Sequence, residues 1–204
     1  MKKNITTLFT DLGGVLLTNG WDRGSRRKAI ELFKLDGEDT EERHHLTFDT
    51  YEVGKITLDE YLDRVVFYKR RSFSKQEFRN FMFSRSKPYP EMIALVKRLK
   101  QKYKLKIAVV SNEGRELMEY RIDRFKLGGF VDFFISSSFV HFRKPDADIF
   151  KIALDTAQVD ANQVLYLEDR PMFVQVAEGL GIRGLAHVDI DSTIKKLAKW
   201  GLKK

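Results

Sequence analysis

The chain has 204 residues, no cysteine and a formal net charge of +8. A chain of this length can bury the core of one domain, or of one domain with an insertion. The lack of cysteine excludes a disulfide framework, a thiolate metal site and a cysteine nucleophile. The positive charge raises the question of a nucleic-acid partner, but the sequence shows no basic face interleaved with aromatic residues and no nucleic-acid-binding motif.

No apolar stretch in the sequence is long enough to span a bilayer. The apolar run that follows the first four residues is too short and too interrupted for a signal peptide. We therefore expect a soluble, cytoplasmic protein that binds neither nucleic acid nor a membrane. The sequence leaves open whether the protein is a monomer or a homodimer.

The first predicted element is a buried strand that delivers one carboxylate. Residues 5–10 are rich in β-branched and aromatic side chains, and Asp11 follows them directly. Gly13 and Gly14 permit backbone conformations closed to other residues and let a ligand approach the main chain. A carboxylate at the end of a buried strand is costly without a partner. Asp11 is therefore a metal ligand, a nucleophile or a cap of the following turn.

Four short helices are predicted next, with no strand among them. Apolar residues at helical spacing indicate helices at residues 25–35 and at about residues 40–53. Capping boxes at Thr57 and Ser74, each with a glutamate three residues later, begin two more helices. We interpret residues 18–87 as a helical domain inserted after the first strand.

Helices and apolar strands alternate through the rest of the chain. The helices are predicted at residues 91–103, 114–126, 146–157, 173–180 and 192–200, and the strands at residues 106–110, 131–135, 164–167 and 184–188. This alternation indicates an α/β fold with a doubly wound parallel sheet covered by helices on both faces. The core domain would then consist of residues 1–17 and 88–204.

Ligands of open α/β sheets bind at the carboxyl ends of the strands. The polar residues predicted there are Asp11, Ser111, Asn112, Glu168 and Asp169. Lys144 lies in a loop between the second and third of these strand ends. Carboxylates from two strands suit Mg²⁺, which keeps part of its coordination shell for water and phosphate oxygens.

The remaining polar groups suit a phosphoryl group. The Ser111 hydroxyl and the free amides that begin the helix at Gly114 can hold an anion, and Lys144 adds a cation. A metal ion and the lysine neutralise the charge of the phosphoryl group, while the hydroxyl and the amides position the group. Asp11 is then placed to act as a nucleophile that forms an aspartyl-phosphate.

The order of these segments resembles the haloacid dehalogenase-like hydrolase superfamily over nearly the whole chain. The four motifs that carry the resemblance lie at residues 9–15, 108–112, 143–146 and 165–169. The position of the helical insert matches the helical cap of the first type in that superfamily. The segment Tyr-Glu-Val-Gly-Lys-Ile-Thr at residues 51–57 resembles the cap of a subgroup close to bacterial glucose-1-phosphate phosphatases.

The resemblance implies a role for each motif residue. Asp11 would be the nucleophile and a Mg²⁺ ligand. The other metal ligands would be the Gly13 carbonyl, Asp169 and, directly or through water, Glu168. Ser111 and Lys144 would bind the transferring phosphoryl group, with a further contact from Asn112. The implied substrate is a small phosphorylated metabolite, such as a sugar phosphate.

The sequence departs from the family pattern at Gly13. Most phosphatases of the superfamily have an aspartate at this position, which protonates the leaving oxygen and then activates water. General acid–base catalysis is typically worth about 10²–10⁴-fold in rate. Without this acid at Gly13, substrates whose leaving group has a low pKa are favoured. Alternatively, a cap residue or a water molecule takes the place of the missing aspartate.

Two other functions remain open at this stage. A 2-haloacid dehalogenase of the same fold would lack the second aspartate, but the acid pair Glu168 and Asp169 argues against it. A non-catalytic relative that binds a ligand or protein would also explain Gly13. His44 and His45, which are neighbours on a predicted helix, are expected to be surface residues rather than ligands.

Overall fold

The computed structural model describes residues 4–204. Its strands are β1 (Thr7–Thr10), β2 (Lys106–Ser111), β3 (Phe133–Ser136), β4 (Val164–Glu168) and β5 (Arg183–Ala186). They form one parallel sheet in the order β3-β2-β1-β4-β5. The first strand in the chain is therefore the central strand, and all four of its residues are buried.

Ten α-helices are formed by the described residues. They are α1 (Arg23–Leu32), α2 (Gly37–Glu52), α3 (Leu58–Val65), α4 (Lys75–Ser84), α5 (Pro90–Tyr103), α6 (Arg115–Arg124), α7 (Ser137–Val140), α8 (Asp148–Ala157), α9 (Pro171–Gly179) and α10 (Ile190–Lys199). Two 3₁₀ turns, Leu127–Gly129 and Ala161–Gln163, precede β3 and β4.

The sheet is buried on both faces. Alternate residues of β1 enter different apolar clusters: Leu8 packs with residues of α5 and α10, and Phe9 packs with residues of α8 and α9. This alternation is the two-residue period of a strand. The predicted α/β fold with a doubly wound parallel sheet is confirmed.

Several predicted boundaries differ from those observed. β3 begins at Phe133 rather than at residue 131, because Asp132 is engaged in the turn: its carboxylate accepts from the amide of Ile107 at 2.7 Å. β5 ends at Ala186 rather than at residue 188, where Val188 is 76 % exposed. The short helix α7 lies where the sequence predicts a loop.

The helices α1 to α4 form a third apolar cluster, separate from those on the sheet. Both predicted capping boxes, at Thr57 and Ser74, are formed. The chain leaves the sheet at Leu17 and returns at Pro88, where the two residues form an antiparallel bridge. The division of the chain into two domains at these points stays a prediction.

The prediction of a surface position is wrong for His44. Its ring is buried, and Nδ1 lies 2.7 Å from the Tyr61 hydroxyl, which also accepts a hydrogen bond from the indole of Trp21. Burial lowers the pKa of His44 to about 4. His45 is exposed, as expected.

No helix among the described residues is both long enough and apolar enough to cross a membrane.

Candidate active site

The predicted site residues of β1, β2 and β4 lie side by side at the carboxyl edge of the sheet. Asp11 directly follows β1, and its amide donates to the Leu167 carbonyl at 2.8 Å. Thr10 is paired with both Val109 and Leu167, so that Asp11 lies between the ends of the two neighbouring strands. These ends carry Ser111 and Glu168.

Lys144 lies at the centre of this group and is 1 % exposed. Its Nζ lies 3.1 Å from Asp11 Oδ1 and 2.7 Å from Glu168 Oε2. It also donates to the Val110 carbonyl at 3.1 Å and to the Tyr166 hydroxyl at 3.0 Å. The lysine therefore joins the ends of β1, β2 and β4.

Burial and ion pairing act in opposite directions on these charges. Burial lowers the pKa of Lys144, but the carboxylates of Asp11 and Glu168 outweigh this effect and raise it. Burial raises the pKa of Asp11, opposed by the ammonium of Lys144 and by a hydrogen bond from the Ser111 hydroxyl. The lysine is thus held in its charged form beside a carboxyl group that burial destabilises when ionised.

Asn112 fixes the loop that carries Lys144. Its Nδ2 donates to the Lys144 carbonyl at 2.8 Å, and its Oδ1 accepts from the Lys144 amide at 2.8 Å. Both ends of the side-chain amide are therefore engaged by the protein. The side-chain amide of Asn112 therefore orients Lys144, and the residue also lines the cleft. Its contact with a substrate stays a prediction.

The acidic residues could hold a metal ion. Oxygen atoms of Asp11, Glu168 and Asp169 all lie within 4.8 Å of one another. Asp11 Oδ1 and Asp169 Oδ1 are buried and lack a hydrogen-bond partner, although the former is ion-paired with Lys144. A set of carboxylate oxygens with unsatisfied lone pairs fits a hard divalent cation such as Mg²⁺.

The two glycines after Asp11 are both close to other side chains. Gly14 has φ +75°, and a Cβ there would lie 2.0 Å from Asp169 Oδ2. Gly14 therefore leaves room for the Asp169 carboxylate, in addition to the expected turn geometry. At Gly13 a Cβ would lie 2.5 Å from Asn19 Oδ1.

The predicted anion site at the start of the helix near Gly114 is not formed as expected. The amide of Glu113 donates to the Ser137 hydroxyl at 2.9 Å. The ring of Tyr51 covers Gly114 so closely that a Cβ there would lie 2.1 Å from its Cζ. Ser111 and Lys144 from this prediction line the cleft that leads to Asp11.

A cleft of about 320 Å³ connects Asp11 to the helical segment. Residues of the sheet edge line it on one side, and Trp21, Arg26 and Phe48 line it from the helices. Among the carboxyl groups that line it but were not predicted site residues are Glu52, the last residue of α2, and Glu113, which follows β2.

Each of these two carboxyl groups faces an arginine. Glu52 Oε2 lies 2.8 Å from Arg143 Nε. Glu113 is hydrogen-bonded to Arg121, which also donates to the Ser86 hydroxyl and the Thr18 carbonyl. Glu113 and Arg121 are eight positions apart, whereas Glu52 and Arg143 lie in segments far apart in the sequence.

Tyr166 is a further residue that sequence reasoning missed. Its hydroxyl contacts both Lys144 and Glu168. The signal was available, because residues two apart in a strand face the same side and Tyr166 precedes Glu168 by two.

A sequence model described as haloacid dehalogenase-like hydrolase matches residues 5–181. The chain belongs to this hydrolase family. The match spans Asp11, Ser111, Lys144 and Asp169.

The relatives differ in function. The chain is 25 % identical over 214 residues to bifunctional epoxide hydrolase 2 of Sus scrofa, a match of 93 % of this chain that spans only 37 % of that protein. Solved structures with the same fold include the HAD family enzyme bt-2542 of Bacteroides thetaiotaomicron in complex with magnesium and inorganic phosphate (TM-score 0.77, 23 % identity, 91 % of this chain and 95 % of that one). Another is L-2-haloacid dehalogenase of Xanthobacter autotrophicus (TM-score 0.63, 15 % identity, 98 % and 85 %).

Proposed function

We propose that this chain is a Mg²⁺-dependent phosphomonoester hydrolase that acts through an aspartyl-phosphate on a small phosphorylated metabolite, such as a sugar phosphate. The observation that carries the proposal is the grouping of Asp11, Lys144 and Asp169 at the carboxyl edge of the sheet. The Asp11 carboxylate and the Lys144 ammonium are buried and line the cleft, and a carboxylate oxygen of Asp169 lies within 4.8 Å of the Asp11 carboxylate. A phosphoryl group, which carries two negative charges, needs this combination of cations and nucleophile.

Each residue of the site has a separate role in the proposed reaction. Asp11 attacks phosphorus, while Lys144 and the Ser111 hydroxyl hold the phosphoryl oxygens. Asn112 and Tyr166 keep Lys144 in position. When bound by Asp11, Asp169, the Gly13 carbonyl and Glu168, Mg²⁺ would neutralise charge on the phosphoryl oxygens.

We also propose that residues 18–87 form a cap that covers the cleft and selects the leaving group. The direct contribution of α1 and α2 to the lining of the cleft supports this role. A cleft of about 320 Å³ has room for a small phosphorylated metabolite.

The proposal is tested by phosphate release across a panel of phosphate esters, with Mg²⁺ and with a chelator. We expect turnover of small esters with Mg²⁺ and none with the chelator. A parallel assay of chloride release from 2-haloacids addresses the dehalogenase alternative. Chloride release without metal, or tight ligand binding without any turnover, would contradict the proposal.

Gly14→Ala should weaken Mg²⁺ binding by roughly tenfold or more. The added Cβ would meet the Asp169 carboxylate, and positive φ costs a non-glycine residue about 1–2 kcal/mol. The measurement is the concentration of Mg²⁺ that gives half-maximal stabilisation against thermal unfolding. Gly201→Ala is the matched control, because Gly201 also has positive φ but a Cβ there meets nothing within 4 Å. Equal Mg²⁺ affinity in the two variants would argue against Asp169 as a ligand.

A further inference from the structure

Breaking a phosphate ester leaves a charged oxygen on the leaving group unless a proton is supplied. A positioned general acid contributes about 10²–10⁴-fold to such a step. The donor must have a protonatable group that reaches the cleft and is not already held in another role. On the proposed function, the described carboxyl groups that line the cleft are the first to consider: Asp11, Asp22, Glu52 and Glu113.

Three of these four carboxyl groups are engaged elsewhere. Asp11 is the nucleophile. Asp22 is the N-cap of α1 and accepts from the amide of Ser25 at 2.7 Å. Glu113 is bound by Arg121, whose guanidinium is itself fixed by two further hydrogen bonds.

Glu52 is different, because its buried oxygen is not satisfied. The residue is 6 % exposed, and Oε2 is buried without a hydrogen-bond partner. Arg143 Nε lies 2.8 Å away but is also without a hydrogen bond, so that the pair has ionic contact without hydrogen-bond geometry. A buried carboxyl oxygen in this state costs free energy unless something else, such as a substrate hydroxyl or bridging oxygen, pairs with it.

We propose that Glu52 is the proton donor to the leaving oxygen. As Asp11 forms its bond to phosphorus, the P–O bond to the leaving group breaks and the carboxyl proton of Glu52 passes to that oxygen. The Glu52 carboxylate then takes a proton from the water that attacks the aspartyl-phosphate. Phosphate leaves, the carboxylate of Asp11 is restored, and Glu52 is again protonated.

The charges around Glu52 favour a group that exchanges its proton. Burial raises the pKa of Glu52, and the carboxylate of Asp49 acts in the same direction. The cations of Arg143, Lys144 and Arg170 oppose this shift. Glu113 also faces Glu52 across the cleft. The ordered position of the carboxyl group follows from α2, whose last carbonyl, that of Glu52, accepts from the Ser137 hydroxyl at 2.6 Å.

The test compares Glu52→Gln with the wild type on a series of phosphate esters whose leaving groups differ in pKa. We expect kcat/KM to fall by about 10²–10⁴-fold for alkyl phosphates and far less for p-nitrophenyl phosphate, which needs no proton. A plot of log kcat/KM against leaving-group pKa should therefore be steeper for the variant. An equal loss on all esters would overturn the proposal and leave Glu52 a purely structural residue.

Glu42→Gln is the matched control. Glu42 lies on the same helix and undergoes the same side-chain change, but it is exposed and does not line the cleft. The leaving-group dependence of this variant should equal that of the wild type. An equally steep plot for Glu42→Gln and Glu52→Gln would contradict the assignment of Glu52.

A second pair of variants keeps the proposal testable if Glu52→Gln does not fold. Glu52→Asp retains the carboxyl group but shortens the side chain by one methylene, and should show the same selective loss on alkyl phosphates.

A double variant introduces a new acid beside Asp11. It combines Gly13→Asp with Asn19→Ala, which removes the side chain that a Cβ at position 13 would meet. In the Glu52→Asp background this pair should restore alkyl phosphate turnover at least tenfold, and no restoration would count against a missing acid. Failure of the wild type on every ester would instead reject the phosphatase proposal itself.

Discussion

Lys144→Met is expected to abolish turnover and to lower the free energy of unfolding by about 3–5 kcal/mol at neutral pH. The lysine is fully buried between Asp11 and Glu168, with Nζ at 3.1 Å and 2.7 Å from their oxygens. Removing one partner of a buried ion pair leaves charge that is neither solvated nor paired. Chemical denaturation in the presence of a chelator measures the loss, because a bound metal ion would otherwise replace part of the missing charge.

The pH dependence of this loss follows from Asp11. Burial raises the pKa of Asp11 in the folded state and Lys144 opposes the shift, so that the variant should have a still higher pKa. A carboxyl group whose pKa is raised on folding binds its proton more tightly in the folded state. The folded state is therefore destabilised as pH rises through the interval between the unfolded value of 3.8 and the raised folded value. The stability deficit of Lys144→Met should be smaller at about pH 5 than at about pH 8.

Lys151→Met is the control for this prediction. Lys151 Nζ lies 2.7 Å from Asp148 Oδ1, a distance equal to that of the buried pair with Glu168, but both side chains are about half exposed. Exposed ion pairs contribute roughly 0–1 kcal/mol. A similar loss in the two lysine variants would show that the central ion pairs contribute no more than a surface pair.

Asp11→Asn is expected to reduce kcat by on the order of 10⁴–10⁶-fold while leaving the fold intact. The amide has nearly the shape of the carboxylate but cannot attack phosphorus. Lys144 keeps Glu168, Tyr166 and the Val110 carbonyl as partners, so that its charge stays compensated. Because burial disfavours the ionised form of Asp11, the variant should be at least as stable as the wild type in the absence of metal.

The informative result is the combination of the two measurements. Thermal unfolding and phosphate release are measured on the same preparation, with Asp155→Asn, an exposed aspartate of α8, as the control. Turnover by Asp11→Asn at more than about a hundredth of the wild-type rate would exclude this residue as the nucleophile.

The sheet and its edge could be predicted from the sequence because their signals are local. Apolar runs fix the strands, and parallel strands place their carboxyl ends at one edge. Asp11, Ser111 and Glu168 therefore had to lie close together once the strands were recognised. Helix boundaries at Thr57 and Ser74 were equally accessible, since a capping box is complete within four residues.

The position of Lys144 required more than local signals. Its loop could be found, but the direction of the side chain depends on Asn112, which lies 32 positions earlier and holds the lysine backbone at both polar groups. The sequence predicted a substrate contact of Asn112 through its backbone or side chain, but not that this side chain supports Lys144.

The side of the cleft formed by residues 18–87 could not be predicted, because it depends on tertiary packing. Glu52 meets Arg143, and Tyr51 covers Gly114, only through the packing of α2 against the sheet edge. The same packing explains why the anion site expected at the start of α6 is covered. His44 is buried instead by the packing of α2 against α3, where its ring contacts Tyr61. Helical periodicity shows that a face is apolar, but not what lies opposite it.

The most direct test of the account is an acid-quenched single turnover with a ³²P-labelled phosphate ester and Mg²⁺. An aspartyl-phosphate should be trapped at early times, and the label should lie on the peptide that contains Asp11. It should disappear as free phosphate is released, and it should not form with a chelator or in Asp11→Asn. Phosphate release with no labelled enzyme at any time, or with the label on another residue, would contradict the account.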